Sequence, residues 1–179
     1  MANFMELAPR AQRQIIRRME PLEPPALHQA QAAYGWLELG NVEEAFAELE
    51  RLSEELQLLP AVQAVRLDCL MAAKDWNAAV KLAQVLCGQW AEEPGLWLHH
   101  AYAARRCAGG SIEAAYDLLA PCVERFPEEW LIPYNVACYL CQIERLDEAQ
   151  AMLEMARAKG GERVDTMAKD DEDLAPLNL

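Results

Sequence analysis

The segment WLIPYNVACYLCQIERLDEAQAMLEMARA, residues 130–158, contains two helical patterns joined by a short polar turn. Apolar residues recur at helical spacing in each pattern, at Val136, Ala137 and Leu140 in the first and at Ala149, Leu153 and Ala156 in the second. Each pattern therefore predicts a helix with an apolar face. The small alanines at positions 137 and 149 favour a close approach of the two helices. A single hairpin cannot bury all of its apolar surface, so the segment predicts further copies packed beside it.

The rest of the chain repeats the signals of this hairpin at a regular interval. Pro60, Pro94 and Pro127 are 34 and 33 residues apart, each where a helix should begin or has ended. Four turn signals separate helical patterns: Leu39-Gly40-Asn41, Ala73-Lys74-Asp75, Gly109-Gly110-Ser111 and Ile143-Glu144-Arg145. An alanine follows each turn near the start of the next pattern, at Ala45, Ala79, Ala115 and Ala149. These signals predict four helix-turn-helix units at residues 26–59, 60–93, 94–127 and 128–159.

This pattern resembles the tetratricopeptide repeat (TPR), a helix-turn-helix unit of about 34 residues. The resemblance covers roughly residues 26–158 in four copies. Copy two departs from the family pattern at Arg66-Leu67, where a small pair belongs, and copy three carries about two extra residues around Gly109-Gly110. The resemblance implies an all-α fold: a right-handed α-α superhelix, or solenoid, of about four repeats with a capping segment at each end. The alternative is an irregular helical bundle.

One proline breaks the local helical pattern. Pro121 falls within the predicted second helix of copy three. Because proline has no amide hydrogen, it removes a hydrogen bond to the carbonyl of Asp117, and we expect a kink there.

Residues 1–25 are predicted to contain a basic helix, from Glu6 to Met19, that ends at the prolines of PLEPP, residues 21–25. This segment carries four basic and three acidic side chains, whereas the other 154 residues carry 12 and 26. The asymmetry is consistent with a helix that docks on the acidic body as a cap, and equally with a mobile arm.

Residues 160–179 are predicted to form an acidic cap that closes the array. Gly160-Gly161 should end the last helix, and Val164, Met167 and Leu174 are positioned to cover its open apolar face. The ending is similar to the closing segment of a group of bacterial tetratricopeptide proteins, with matches at Asp171, Asp173, Leu174, Pro176 and Leu177. The aromatic residue that often follows in that group is missing here. The other interpretation is a free acidic tail that engages a partner.

The net charge of −13 argues against nucleic acid or an anionic membrane as the main partner. No segment approaches the roughly 20 consecutive apolar residues of a membrane span. The first 18 residues lack the apolar run of a secretory signal. We therefore expect a cytoplasmic protein, in which the six cysteines are reduced and act as small buried apolar residues.

The sequence predicts no metal, no cofactor and no catalytic centre. Cys138-x-x-Cys141 has no second pair of ligands to complete a four-ligand metal site, and it falls within a helix. The histidines are His28, His99 and His100, and the adjacent pair points to different faces of one helix. No motif typical of a hydrolytic nucleophile, a zinc protease or a phosphate-binding loop is present, so we expect no enzymatic activity.

In the superhelix that the resemblance implies, the first helix of each repeat lines a concave surface. Nine residues of this stripe are predicted to form a peptide-binding groove: Tyr34, Leu37, Asp68, Met71, Leu98, Tyr102, Arg105, Tyr134 and Cys138. Tyrosine and aliphatic side chains would contact a peptide, and Arg105 or Arg106 would bind a carboxylate. The alternative is that the N-terminal helix or the tail covers part of the stripe. The Lys/Asn/Arg clamp with which some family members grip chaperone tails is missing, since Ala30, Tyr34 and Ala64 occupy its positions.

These features lead to three hypotheses of function. The first is an interaction module, an adaptor or scaffold, that binds a protein or peptide segment in the groove. The second is a small acidic TPR chaperone for a secreted or assembling partner, similar to those of type III secretion. The third is structural self-association, for example as a homodimer. The identity of the partner does not follow from the sequence.

Overall fold

In the computed structural model, which describes residues 22–178, every regular element is a helix, and those residues contain no strand. The helices are α1 Ala26–Glu38, α2 Val42–Glu50, α3 Glu54–Gln57, α4 Pro60–Ala72, α5 Trp76–Gln89, α6 Pro94–Ala104, α7 Ile112–Leu119, α8 Cys122–Arg125, α9 Leu131–Gln142, α10 Leu146–Gly160 and α11 Glu162–Lys169, followed by a 3-10 helix, Glu172–Leu177. The prediction of an all-α fold is confirmed for these residues. The superhelical arrangement stays a prediction, and the predicted basic helix from Glu6 to Met19 lies outside the described residues.

The four predicted turns all separate helices where the sequence placed them. Each contains one residue in the left-handed region, with φ of 75° at Gly40, 58° at Lys74, 76° at Gly109 and 61° at Glu144. Glycine adopts this conformation without steric cost, whereas a side chain strains it. Gly40 and Gly109 therefore fit their turns without strain, whereas the backbone at Lys74 and Glu144 is strained.

Polar side chains cap the helices that follow three of these turns. The side chains of Asn41, Asp75 and Ser111 accept hydrogen bonds from the backbone amides of Glu44, Ala78 and Ala114. Such caps satisfy amides that have no partner inside the helix. At the fourth turn Arg145 supplies no side-chain cap, and it pairs instead with Glu148 in the first turn of α10.

Proline and glycine end helices where the sequence predicts. Helix α7 ends at Leu119 and α8 begins at Cys122, so the predicted second helix of copy three is interrupted at Pro121. Helix α10 ends at Gly160, and Gly161 follows with a φ of 59°. Both expectations are confirmed.

Contacts divide the described residues into two compact units, residues 22–99 and residues 100–178. In the 22–99 unit α1 packs on α2 and α4, and α4 packs on α5. Its core is rich in alanine, as at Ala26, Ala33 and Ala45, which are fully buried. Small residues at these positions let the helix backbones approach closely.

Helix α9 is the central element of the 100–178 unit. Ten of its 12 residues are buried, and it packs on α10, on α7 and on the 3-10 helix. A helix that is apolar on every side is stable only when neighbours cover it all round. The closing residues Val164 and Leu174 are buried and Met167 is half-buried, as expected for a cap.

Candidate functional site

All nine predicted groove residues are at least half-buried. Three are half-buried, namely Leu37, Tyr102 and Arg105, and six are buried, namely Tyr34, Asp68, Met71, Leu98, Tyr134 and Cys138. Residues of the stripe in the 22–99 unit and in the 100–178 unit form two separate polar clusters, each with its own hydrogen bonds. In the 100–178 unit, the C-terminal segment covers part of the stripe, as in the alternative interpretation of the sequence.

A buried polar cluster connects three helices of the 22–99 unit. Oδ2 of Asp68 accepts a hydrogen bond of 2.8 Å from the hydroxyl of Tyr34, and Oδ1 lies 3.2 Å from Nε2 of His99. Nδ1 of His99 lies 2.6 Å from the carbonyl oxygen of Gly95. Because a carbonyl oxygen only accepts, Nδ1 carries a proton, and Nε2 donates to Asp68 when the ring is the imidazolium.

The protonation of His99 follows from its surroundings. Burial acts to lower the pKa of His99, but the hydrogen bond to Asp68, the charge of that carboxylate and the carbonyl of Gly95 together outweigh it, so the pKa is raised. When His99 is protonated, Asp68 is paired with a cation inside the unit, and a buried carboxylate without hydrogen-bond partners would be costly.

The 100–178 unit contains the second cluster, in which the chain's own acidic segment lies on helix α9. Asp171 is 5% exposed. Its Oδ2 accepts a 2.8 Å hydrogen bond from the hydroxyl of Tyr134 and lies 3.8 Å from Sγ of Cys138. Its Oδ1 accepts a 3.0 Å hydrogen bond from the amide of Asp173. Burial, with the nearby Asp171 carboxylate, raises the pKa of both Tyr134 and Cys138, so both groups stay protonated as donors.

Asp173 makes two further contacts with the same surface. Its Oδ2 lies 3.1 Å from Nη1 of Arg105, and these two side chains are 15% and 11% exposed. Its backbone oxygen accepts a 3.3 Å hydrogen bond from Nε2 of Gln142. The guanidinium of Arg105 also lies 5.5 Å from the centroid of the Tyr139 ring. A charge-assisted hydrogen bond of this kind is stronger than a neutral one. Arg105 thus binds a carboxylate of the chain itself, whereas binding of a ligand carboxylate by Arg105 or Arg106 stays a prediction.

Tyr102 stacks on a neighbouring cation. The guanidinium of Arg106 lies 3.5 Å from the centroid of the Tyr102 ring and donates to the Tyr102 carbonyl at 3.1 Å. Burial lowers the pKa of Arg106. The two residues form a stacked pair of the cation–π type.

The cysteines and the remaining histidines show no reactive arrangement. Burial raises the pKa of Cys141 to about 11, and a raised pKa disfavours the thiolate that redox attack or metal binding requires. Within residues 22–178 no group of three or more His, Cys, Asp or Glu side chains is placed to hold a metal ion. His28 is exposed, whereas His100 is buried and its Nδ1 has no hydrogen-bond partner among the described residues.

The roles of three residues in these clusters do not follow from the sequence. His99 was judged only as a candidate catalytic residue, and no spacing rule links it to Asp68. Asp171 and Asp173 were matched to a closing motif, but nothing in their spacing identifies Tyr134 or Arg105 as partners. One signal was available, because Tyr34 and Asp68 are 34 residues apart and so occupy the same position in consecutive predicted repeats.

Comparison of the chain with protein-family models, with curated proteins and with solved structures gives no match. Among the helices of residues 22–178, none combines the length and the apolar character needed to cross a membrane.

Proposed function

We propose that this protein is an interaction module, an adaptor or scaffold, that binds a peptide segment of a partner protein on its helical hairpins. One observation carries the proposal. The 100–178 unit holds the segment Asp171–Leu174 on three residues of the predicted groove, namely Arg105, Tyr134 and Cys138. The surface therefore has the chemistry needed to hold a peptide segment.

The contacts are of the kind that peptide recognition uses. A few polar anchors orient the segment, here through the hydroxyl of Tyr134 and the guanidinium of Arg105, and one apolar side chain, Leu174, is buried almost completely at 1% exposed. Binding energy at protein interfaces is concentrated in a few such residues, with tyrosine and arginine prominent among them. The TPR-like pattern of the sequence supports the same role, since stacked helical repeats present extended binding surfaces.

The experiment that tests this function screens the full chain against a library of random displayed peptides. We expect enriched peptides whose binding slows hydrogen exchange in α9, and weaker binding by an Arg105→Gln variant. Arg125→Gln is the matched control, because Arg125 is exposed on α8 of the same unit. A screen that enriches no peptide would contradict the proposal, as would enriched peptides that bind wild type and Arg105→Gln equally. Circular dichroism of both variants verifies that they are folded.

A further inference from the structure

Four side chains converge on the acidic segment at residues 171–174, and we call them the acid cradle: Arg105, Tyr134, Cys138 and Gln142. Arg105 lies directly after α6, and the other three lie on α9. Arg105, Tyr134 and Cys138 each contact a carboxylate oxygen of Asp171 or Asp173, and Gln142 donates to the backbone oxygen of Asp173. The cradle is therefore a donor surface that matches two carboxylates two positions apart, together with one backbone carbonyl.

We propose that the acid cradle binds partner proteins through a segment of the form Asp-x-Asp-Leu, and that residues 171–174 are an intramolecular copy of that ligand. This inference rests on the function proposed above and names the class of ligand. The closing segment then occupies the cradle until a partner segment of the same chemistry replaces it.

The direction of the hydrogen bonds explains why the ligand is acidic. A guanidinium and an amide NH₂ group only donate, and in this cluster the hydroxyl of Tyr134 and the thiol of Cys138 also face an acceptor oxygen. An asparagine in place of Asp173 would lose the ion pair with Arg105, and a lysine would bring two cations together. The two carboxylates satisfy the donors of Arg105, Tyr134 and Cys138, and the backbone oxygen of Asp173 satisfies that of Gln142.

The exposure of the segment indicates which positions of the ligand are recognised. Asp171, Asp173 and Leu174 are buried or half-buried, whereas Glu172, Ala175 and Pro176 are exposed. The Leu174 side chain is 1% exposed, and its 3-10 helix packs on α9 and α10. Two carboxylates and the leucine are therefore specified, and positions 172, 175 and 176 are free to vary.

Because residues 171–174 belong to the same chain as the cradle, they compete with any free partner segment for it. A covalently attached ligand acts at an effective concentration of about millimolar for short flexible connections. A free segment of equal intrinsic affinity therefore binds weakly while the closing segment is in place. Weakening only the closing segment should then reveal binding of a free peptide.

The test uses the full chain and a fluorescent peptide with the sequence of residues 169–178, KDDEDLAPLN. In the chain variant Asp171→Asn/Asp173→Asn, the two carboxylates that contact the cradle are neutralised. The matched control is Asp170→Asn/Glu172→Gln, which removes the same charge from the exposed neighbours. By fluorescence anisotropy we expect the first variant to bind the peptide at least about tenfold more tightly than wild type or the control.

Changes in the peptide provide the second arm of the experiment. A peptide with asparagine at the positions of Asp171 and Asp173 should lose binding to the first chain variant, whereas one altered at Asp170 and Glu172 should keep it. Adding Arg105→Gln to the first chain variant should abolish binding of the original peptide. If circular dichroism shows that the double variant is unfolded, Asp173→Asn alone replaces it, with the same expected order of affinities.

Several outcomes would overturn the inference. Equal binding by all three chains would show that the peptide binds outside the cradle. No binding by any chain would show that the cradle does not bind a separate peptide. A dimer of the first variant that does not bind the peptide would identify a second copy as the occupant instead. If library peptides protect α9 from exchange but the KDDEDLAPLN peptide does not bind, the acidic motif is wrong and the peptide-binding function stands.

Discussion

Tyr34 and Asp68 are 34 residues apart in the sequence, and the hydroxyl of Tyr34 donates a 2.8 Å hydrogen bond to the Asp68 carboxylate. The separation equals the predicted repeat period, so the bond joins the same position in consecutive hairpins, on α1 and α4. Both side chains are less than one tenth exposed. The repeat period is therefore reflected in a direct contact between neighbouring hairpins of the 22–99 unit.

Removing the hydroxyl should destabilise this unit. In Tyr34→Phe the ring remains, but the buried carboxylate of Asp68 loses a donor. We expect the free energy of unfolding to fall by roughly 1–3 kcal/mol, the usual cost for a hydrogen bond to a buried charged group. Urea denaturation measures the change. A variant as stable as wild type would show that the hydrogen bond makes no net contribution.

The contribution of His99 to stability should depend on pH. Its folded-state pKa lies above its ordinary value of 6.5, so the folded protein binds the proton more tightly than the unfolded chain. This contribution is full below pH 6.5 and is lost as the pH rises through the raised pKa. Asp68 and the carbonyl of Gly95 contact the ring directly, and Tyr34 donates to the same Asp68 carboxylate.

The measurement compares wild type with His99→Gln in urea denaturation from pH 5 to pH 9, a range chosen about the ordinary pKa of histidine, roughly 6.5. We expect the stability difference between the two proteins to shrink as the pH rises. His100, whose pKa is lowered by burial, is present in both proteins, so its contribution cancels. His28→Gln is the control, because His28 is exposed. A difference that is constant with pH would contradict the imidazolium–carboxylate pair.

Glycine at the strained position of each of these two turns should stabilise the protein. Lys74 and Glu144 adopt φ of 58° and 61°, which costs a side chain about 1 kcal/mol or more. We expect Lys74→Gly and Glu144→Gly each to raise the free energy of unfolding by about 0.5–1 kcal/mol, after the greater freedom of glycine in the unfolded chain is subtracted. The reverse change, Gly40→Ala at a φ of 75°, should destabilise. Thermal unfolding measures all three.

The same substitution at two glycines should have opposite effects. At Gly110 a Cβ atom would collide with the backbone carbonyl of Ala104, whereas at Gly88 in α5 it would meet no atom within 4 Å. We expect Gly110→Ala to cost about 1–3 kcal/mol through overpacking. Gly88→Ala should instead stabilise the helix by about 0.5–1 kcal/mol, because glycine is a poor helix former. Urea denaturation of the two variants measures the change in the free energy of unfolding. Equal changes in both would contradict the steric collision expected at Gly110.

The ion pair of Arg105 and Asp173 should show measurable coupling. A double-mutant cycle with Arg105→Gln and Asp173→Asn should give an interaction energy of about 1–2 kcal/mol, because the pair is largely buried. The exposed pair of Arg145 and Glu148 is the control, with side chains 41% and 56% exposed, and water should reduce its coupling. Similar coupling in both pairs would show that burial does not strengthen the contact that holds the acidic segment.

Local sequence signals predicted the four turns and the main helices, but not the short helix Glu54–Gln57 or the 3-10 helix Glu172–Leu177. Gly40 and Gly109 supply the left-handed residue of a turn, Asn41 and Asp75 cap the helix that follows, and Pro121 interrupts one. These features act within a few residues, so their consequences can be read from the order of the amino acids. The all-α architecture of residues 22–178 follows from them together with the spacing of the apolar residues.

The exposure of the predicted groove depended on contacts between distant residues. Tyr134 has the same place in its helix whether it faces a ligand or a covering segment, and only the position of Asp171 decides between the two. In the same way, Asp68 is a stripe residue in the sequence, and in the structure it is part of a buried hydrogen-bonded cluster with Tyr34 and His99. The sequence by itself determined which residues share a helix face. The tertiary structure decided which of them are covered, because burial results from the packing of elements that are far apart in the chain.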